Sequence, residues 1–142
     1  NKYNITKKDI LMIVSNSGVN HAPVEAAIIA KEKNIKTIAL TSVKYSKKAP
    51  LSKLNKKLYE IVDIFIDNKI PPGDTVISVN KFSVGPVSTI TGSFILNAIL
   101  IELASILKTE KIFPFYISSN MPNATKNNTK LENKFRKQNP HL

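Results

Sequence analysis

Apolar residues run unbroken from Ile10 to Val14 within Asp9–Ser15, a length that fits a strand. An unbroken run, in place of alternation, is expected where both faces of a parallel strand are covered. Over Val24–Asn34 the spacing changes: Val24, Ala27 and Ile28 recur at helical intervals, with Glu25, Lys31, Glu32 and Lys33 among them. That periodicity predicts a helix with one buried face. "KTIALT", Lys36–Thr41, predicts a second strand, lysine-rich Leu51–Tyr59 a second helix, and "IVDIFI", Ile61–Ile66, a third strand. Strand and helix alternating at this spacing imply a parallel sheet with right-handed crossovers.

The pattern shifts at Pro71, Pro72 and Gly73, which force a turn. "DTVISVN", Asp74–Asn80, alternates apolar and polar residues and predicts an edge strand with one wet face. A long helix is expected from Ser88 to Leu107, apolar nearly all round from Phe94 onward except at Asn97, Glu102 and Ser105. A membrane span needs about twenty apolar residues, so this shorter run predicts a helix buried in the fold or at a subunit interface. Glu102 requires a partner if the helix is buried. "IFPFYIS", Ile112–Ser118, reads as a last strand-like segment, and Asn123–Leu142 as a polar carboxyl-terminal tail with a short helix.

A chain of 142 residues with 42% hydrophobic content holds one domain with its own core. It has no cysteine, which excludes disulfides and thiolate metal ligands and fits a reducing compartment. No basic-then-apolar leader opens it, so a cytoplasmic setting is expected, and the sequons at Asn4, Asn123 and Asn127 are discounted. The net charge of +11 is almost all lysine, with Arg136 the sole arginine. Base readout favours the arginine fork, so nucleic acid is disfavoured as a partner, while an anionic small molecule gains from the same field. His21 and His141 are the only histidines, and neither G-x-x-x-x-G-K-[ST] nor G-x-G-x-x-G occurs. No metal and no nucleotide cofactor are expected.

In an open parallel sheet, ligands sit beyond the carboxyl ends of the strands, where helix N-termini point. The polar turns that fall there are Ser15–Asn20, Thr41-Ser42 and the "GPVSTITG" segment that opens the long helix. Ser15, Asn16, Ser17 and Gly18 can be read as a plain connection or as an anion cradle. Asn20 is a candidate N-cap and Pro23 is tolerated in a first turn. Amide donors at that helix start, the Ser15 and Ser17 hydroxyls and a side-chain-free Gly18 would suit a phosphate.

From "SNSG" onward the chain resembles the sugar isomerase (SIS) domain family, whose phosphate loop follows a parallel strand as Ser-x-Ser-Gly. It is more closely similar to a branch of uncharacterised bacterial SIS-domain proteins. The matching stretches are "VSNSGVNHAPVEAAIIAKEKNIKTIALTS", "LYEIVDIFIDNKIPPGDTVISV", "VGPVSTITG" and "FPFYISSN". The resemblance implies an α/β fold: a three-layer α/β/α sandwich with a mainly parallel sheet, flavodoxin-like and doubly wound. It implies one SIS-type domain over residues 1–142 that lacks its amino-terminal part. It also implies binding of a phosphorylated sugar, with the phosphate held by Ser15, Asn16, Ser17, Gly18 and Asn20. Thr41, Ser42, Ser88 and Thr89 would lie near the sugar, and the domain would dimerise. The branch usually carries a His-Pro-Ser-Gly type segment before "KRLYE", where this chain reads "LSKLNKKLYE", with Ser52, Leu54 and Asn55 at the aligned His, Ser and Gly positions.

Isomerisation of a sugar phosphate needs a base that moves a proton between adjacent carbons. His21, just past the loop, and Glu25, a turn further on, are the candidates within reach. A carboxylate near a helix start is also favoured by the helix dipole regardless of chemistry. Two functions follow: a phosphosugar isomerase, or a non-catalytic module that senses a sugar phosphate.

Overall fold

The computed structural model describes residues 3, 5–109, 113–139 and 141. Two compact units divide the chain: Thr6–Ile95, and Asn1–Ile5 together with Leu96–Leu142.

In the first unit the apolar runs form β1 (Ile10–Val14), β2 (Lys36–Thr41) and β3 (Ile64–Asp67). They pair as a parallel sheet in the order β1-β2-β3. Ile10 lies beside Lys36 and Ile38 beside Ile64, so both pairs join residues 26 apart in the chain. The first helix, α1, spans His21–Glu32, three residues earlier than its apolar spacing predicts, and buries Val24, Ala27 and Ala30. Thr37 and Asp63 tie the starts of β2 and β3: the Asp63 carboxylate accepts from the Thr37 amide at 2.8 Å and from its hydroxyl at 2.9 Å.

The predicted helix over Leu51–Tyr59 lies elsewhere. The Ser42 hydroxyl accepts from the Tyr45 amide and starts α2 at Val43–Lys48, directly after β2. Pro50 keeps Ala49 extended, as proline does to the residue before it. Asn55 then takes a left-handed φ of 49°, so only Leu58–Ile61 (α3) turns helically.

Ile13, Val24, Ala27, Ala39, Leu58 and Ile61 form the core, with α1 and α3 packed together on one face of the sheet. Successive strand residues face opposite ways. Leu40, next to Ala39, is fully buried on the other face, about 4.0 Å from where a Cβ on Gly92 would sit. The start of the long helix therefore covers that side, which gives helix, sheet and helix layers around β2 and an α/β fold. β1 departs from expectation: Ile10 is 64% and Val14 53% exposed, so its two faces are not both covered.

Asp74–Asn80 yields β4 (Thr75–Val79), whose antiparallel partner β5 (Phe82–Pro86) was not anticipated. Asn80, at a left-handed φ of 55°, and Lys81 make the two-residue link between them. The long helix, α4, spans Ser88–Ile106 and ends in a 3-10 turn at Leu107–Thr109. Within these 22 residues an 18-residue stretch reaches a mean hydropathy of 1.9, long and apolar enough to cross a membrane by length and composition. The expected burial within the fold is not met, because only 6% of that apolar stretch is covered. Glu102 is exposed and needs no partner.

In the second unit, residues 113–118 are extended without forming a strand, and Ile112 lies outside the described residues, as do Asn4 and Leu142. The Asn128 side chain replaces a strand neighbour, accepting from the Ile117 amide and donating to its carbonyl. Asn128 belongs to α5 (Ala124–Phe135), the expected short helix of the tail, which buries Ala124 and Leu131.

Candidate functional site

The Ser15–Asn20 loop leaves the carboxyl end of β1 and is fastened to the ends of both other strands. The Ser15 amide donates to the Leu40 carbonyl and extends the ladder by one residue. The Asn16 carbonyl then accepts from the Ser42 amide at 3.0 Å and from the Thr41 hydroxyl at 3.3 Å. Its side-chain oxygen accepts from Asn68 at 2.7 Å, and the buried Asn68 in turn accepts from the Ile70 amide. Asn68 was not singled out from the sequence, because a lone asparagine after a strand carries no pattern.

Gly18 turns the chain into α1 at a φ of +59°. A Cβ there would sit 2.9 Å from the Thr41 hydroxyl oxygen, 3.3 Å from the Leu58 Cβ and 3.4 Å from the Ser46 hydroxyl oxygen. The position therefore demands glycine both for its conformation and for space. Its amide donates to the Ser15 hydroxyl at 3.3 Å, and its carbonyl accepts from the Leu58 amide at 2.8 Å. Ser17 is half-buried, and its hydroxyl has no partner among the described residues.

The helix starts of this unit differ in how their amides are met. At α2, Ser42 accepts from Tyr45 and Asp67 accepts from the Val43 amide. At α3, the Glu60 carboxylate accepts from the Lys57 amide. At α4, Asp74, itself at a left-handed φ of 67°, accepts from the Val87 and Ser88 amides and the Ser88 hydroxyl. At α1, Asn20 holds the N-cap position but its side chain makes no cap hydrogen bond, and the first turn carries no acid. Pro23 has no N–H, so the amides of His21 and Ala22 are left without an intrahelical acceptor, at the positive end of the helix dipole.

The other predicted residues are placed unevenly. Thr41 and Ser42 are fully buried, and their hydroxyls donate internally, to the Asn16 carbonyl and at 2.6 Å to the Ile70 carbonyl. They support the loop from beneath. Ser88 is held by Asp74, while Thr89 is exposed. His21 Nε2 lies 3.9 Å from the Glu25 carboxylate, one helical turn on, with both side chains more than half exposed. Burial pushes Asp67 up, but the Lys69 ammonium with the Lys69 and Val43 amides outweighs it and holds that carboxyl below its usual value. Among the described residues no group of three or more histidine and acidic side chains could hold a metal. Ser46 was also unforeseen: it is fully buried, and its hydroxyl has no hydrogen-bond partner among the described residues.

The departure at "LSKLNKKLYE" has a structural reading. Ser52 accepts from the Leu54 amide, and the turn closes with Asn55 in the left-handed region. Asparagine tolerates that conformation best after glycine.

Residues 1–42, which span β1, the loop, α1 and β2, match the family model for the SIS domain. Over 99% of its length the chain is 43% identical to UPF0309 proteins of Brucella anthropi, Brucella canis and Brucella melitensis biotype 2. It covers 58% of the length of each of these curated relatives. The segment that holds the loop and its helix is thus similar to the SIS domain family, and the chain as a whole is similar to the UPF0309 proteins.

Proposed function

We propose that the chain binds a phosphorylated sugar by its phosphate at the start of α1, as part of an isomerase-type protein. One observation carries the reading: of the four helix starts in the Thr6–Ile95 unit, that of α1 has neither a side-chain cap nor an acid in its first turn. It lies next to Ser15, Ser17 and Gly18, whose left-handed φ of +59° turns the chain into the helix. A dianionic phosphate would accept from the His21 and Ala22 amides and the two serine hydroxyls, with Asn16 and Asn20 flanking it. Thr41 and Ser42 hold the loop in place, and Ser88 and Thr89 open the neighbouring helix toward the sugar. Glu25 or His21 would move the proton in an aldose–ketose isomerisation. A second copy, covering the apolar face of α4, completes the reading in a cytoplasmic setting.

A non-catalytic sensing role is the second reading, favoured by the His21–Glu25 pair itself. Both side chains are more than half exposed and 3.9 Å apart, so neither is shielded from water as a closed catalytic site shields its proton-transfer groups.

The test is thermal unfolding with and without hexose, hexosamine and pentose phosphates, each against its unphosphorylated sugar. A ligand held only by the folded state adds about 2.7 kcal/mol at a hundredfold excess over Kd. The Ser15→Ala, Ser17→Ala double variant removes two hydroxyl donors to a charged group, about 1.5–3 kcal/mol each. Its affinity should collapse, and an unchanged affinity sinks the cradle. Interconversion of a bound aldose phosphate with its ketose, followed by proton exchange with solvent, separates isomerase from sensor.

A further inference from the structure

We infer that Ser46 is a positioning residue whose hydroxyl holds the Ser15–Gly18 loop in its anion-bound conformation; this rests on the phosphate reading above. Ser46 lies on α2, its side chain fully buried, with no hydrogen-bond partner for its hydroxyl among the described residues. Such a group is destabilising unless another state of the protein employs it. Its surroundings identify that state. The hydroxyl oxygen lies 3.4 Å from the point where a Gly18 side chain would begin, on the inner side of the loop, beside the Thr41 hydroxyl. The residue's backbone is fixed, since its amide donates to the Ser42 carbonyl at 2.8 Å and its carbonyl accepts from the Lys57 ammonium at 2.6 Å.

The loop above it is held at 2.7–3.0 Å through the Ser15 amide, Asn16 and the Gly18 carbonyl, but two of its ties are long. The Gly18 amide to the Ser15 hydroxyl and the Thr41 hydroxyl to the Asn16 carbonyl both measure 3.3 Å, beyond the usual N–H···O and O–H···O distances. An anion at the start of α1 competes for the Gly18 amide and for the Ser15 hydroxyl that now accepts from it. Breaking that contact lets the loop settle, and Ser46 offers an anchored, dry hydroxyl directly beneath the residue that moves. The free protein carries the unpaired group, and the bound protein pairs it.

Ser46→Ala separates the two states. The variant loses nothing in the free form, so its melting temperature without ligand equals or exceeds that of the parent. Its affinity for glucose 6-phosphate, fructose 6-phosphate, glucosamine 6-phosphate or inorganic phosphate, whichever binds the parent, falls about fivefold, the weight of one hydrogen bond. Ser46→Cys, close in volume but a weak donor, should fall between the two. Equal affinity in parent and alanine variant overturns the role of Ser46 and leaves the phosphate reading standing. A lower melting temperature of the free variant also overturns it, because the hydroxyl is then paired in the resting state. If the parent binds none of the four probes, the phosphate reading fails and this inference falls with it.

Discussion

Gly18 shows how much one position settles. Its φ of +59° and the Thr41 oxygen at 2.9 Å from the missing Cβ both oppose any side chain. Gly18→Ala should cost about 1–3 kcal/mol, from the left-handed backbone and the forced shift of Thr41. Urea unfolding measures the loss, and stability within about 0.5 kcal/mol of the parent would show that the loop moves freely. "SNSG" after an apolar run made the turn into α1 legible, although small polar residues at a strand end serve a plain connection as readily as a cradle. The supports beneath it were not legible. Asn68 follows β3 and Ser46 lies on α2, and their importance depends on tertiary distance, which no local spacing encodes.

Among the elements, the strands and α1 could be read from periodicity, while α2 and β5 could not. A six-residue helix of "VKYSKK" has too few apolar positions to show a period, and it exists because Ser42 and Asp67 meet its first amides. β5 ends in Gly85 and Pro86, residues that argue for a turn until β4 is seen beside it. The Asp63 latch between β2 and β3 makes a prediction at this scale. The Thr37 amide and hydroxyl, with a smaller part from Lys36, hold the Asp63 carboxyl below its ordinary value. A carboxylate depressed in the folded state adds stability that is complete above its unfolded value and disappears as pH falls through the lower folded one. Asp63→Asn should therefore be less stable than the parent at neutral pH, and the gap should close as pH falls through and below the ordinary carboxylate range. A gap that persists unchanged into acid rules out the ionised latch.

On the scale of the molecule, the apolar surface of α4 dominates. Ile90, Phe94, Ile101 and Ile106 are each about two-thirds or more exposed along α4, with Ile90, Phe94 and Ile101 on one side of the helix, and large apolar surfaces of this kind mark interaction sites. Sedimentation should find the chain as an oligomer in aqueous buffer, and Phe94→Glu with Ile101→Glu should shift it toward monomer. A parent that is monomeric and soluble overturns a second copy as the cover, and one that enters only detergent micelles points to a bilayer in its place.

The equal separation of 26 residues in both strand pairs has a consequence for assembly. The entropy lost in closing a chain segment depends on its length alone, to first order, so docking β2 on β1 and β3 on β2 cost the same. Loop length then gives the folding chain no preferred order, and the choice falls to what each crossover carries. The first brings a three-turn helix burying Val24, Ala27 and Ala30, whereas the second brings two short helices joined by an irregular stretch. The longer helix favours the β1-α1-β2 unit as the first to form, so a Val24→Ala change should slow folding more than Leu58→Ala does, as φ-values from stopped-flow refolding would read it.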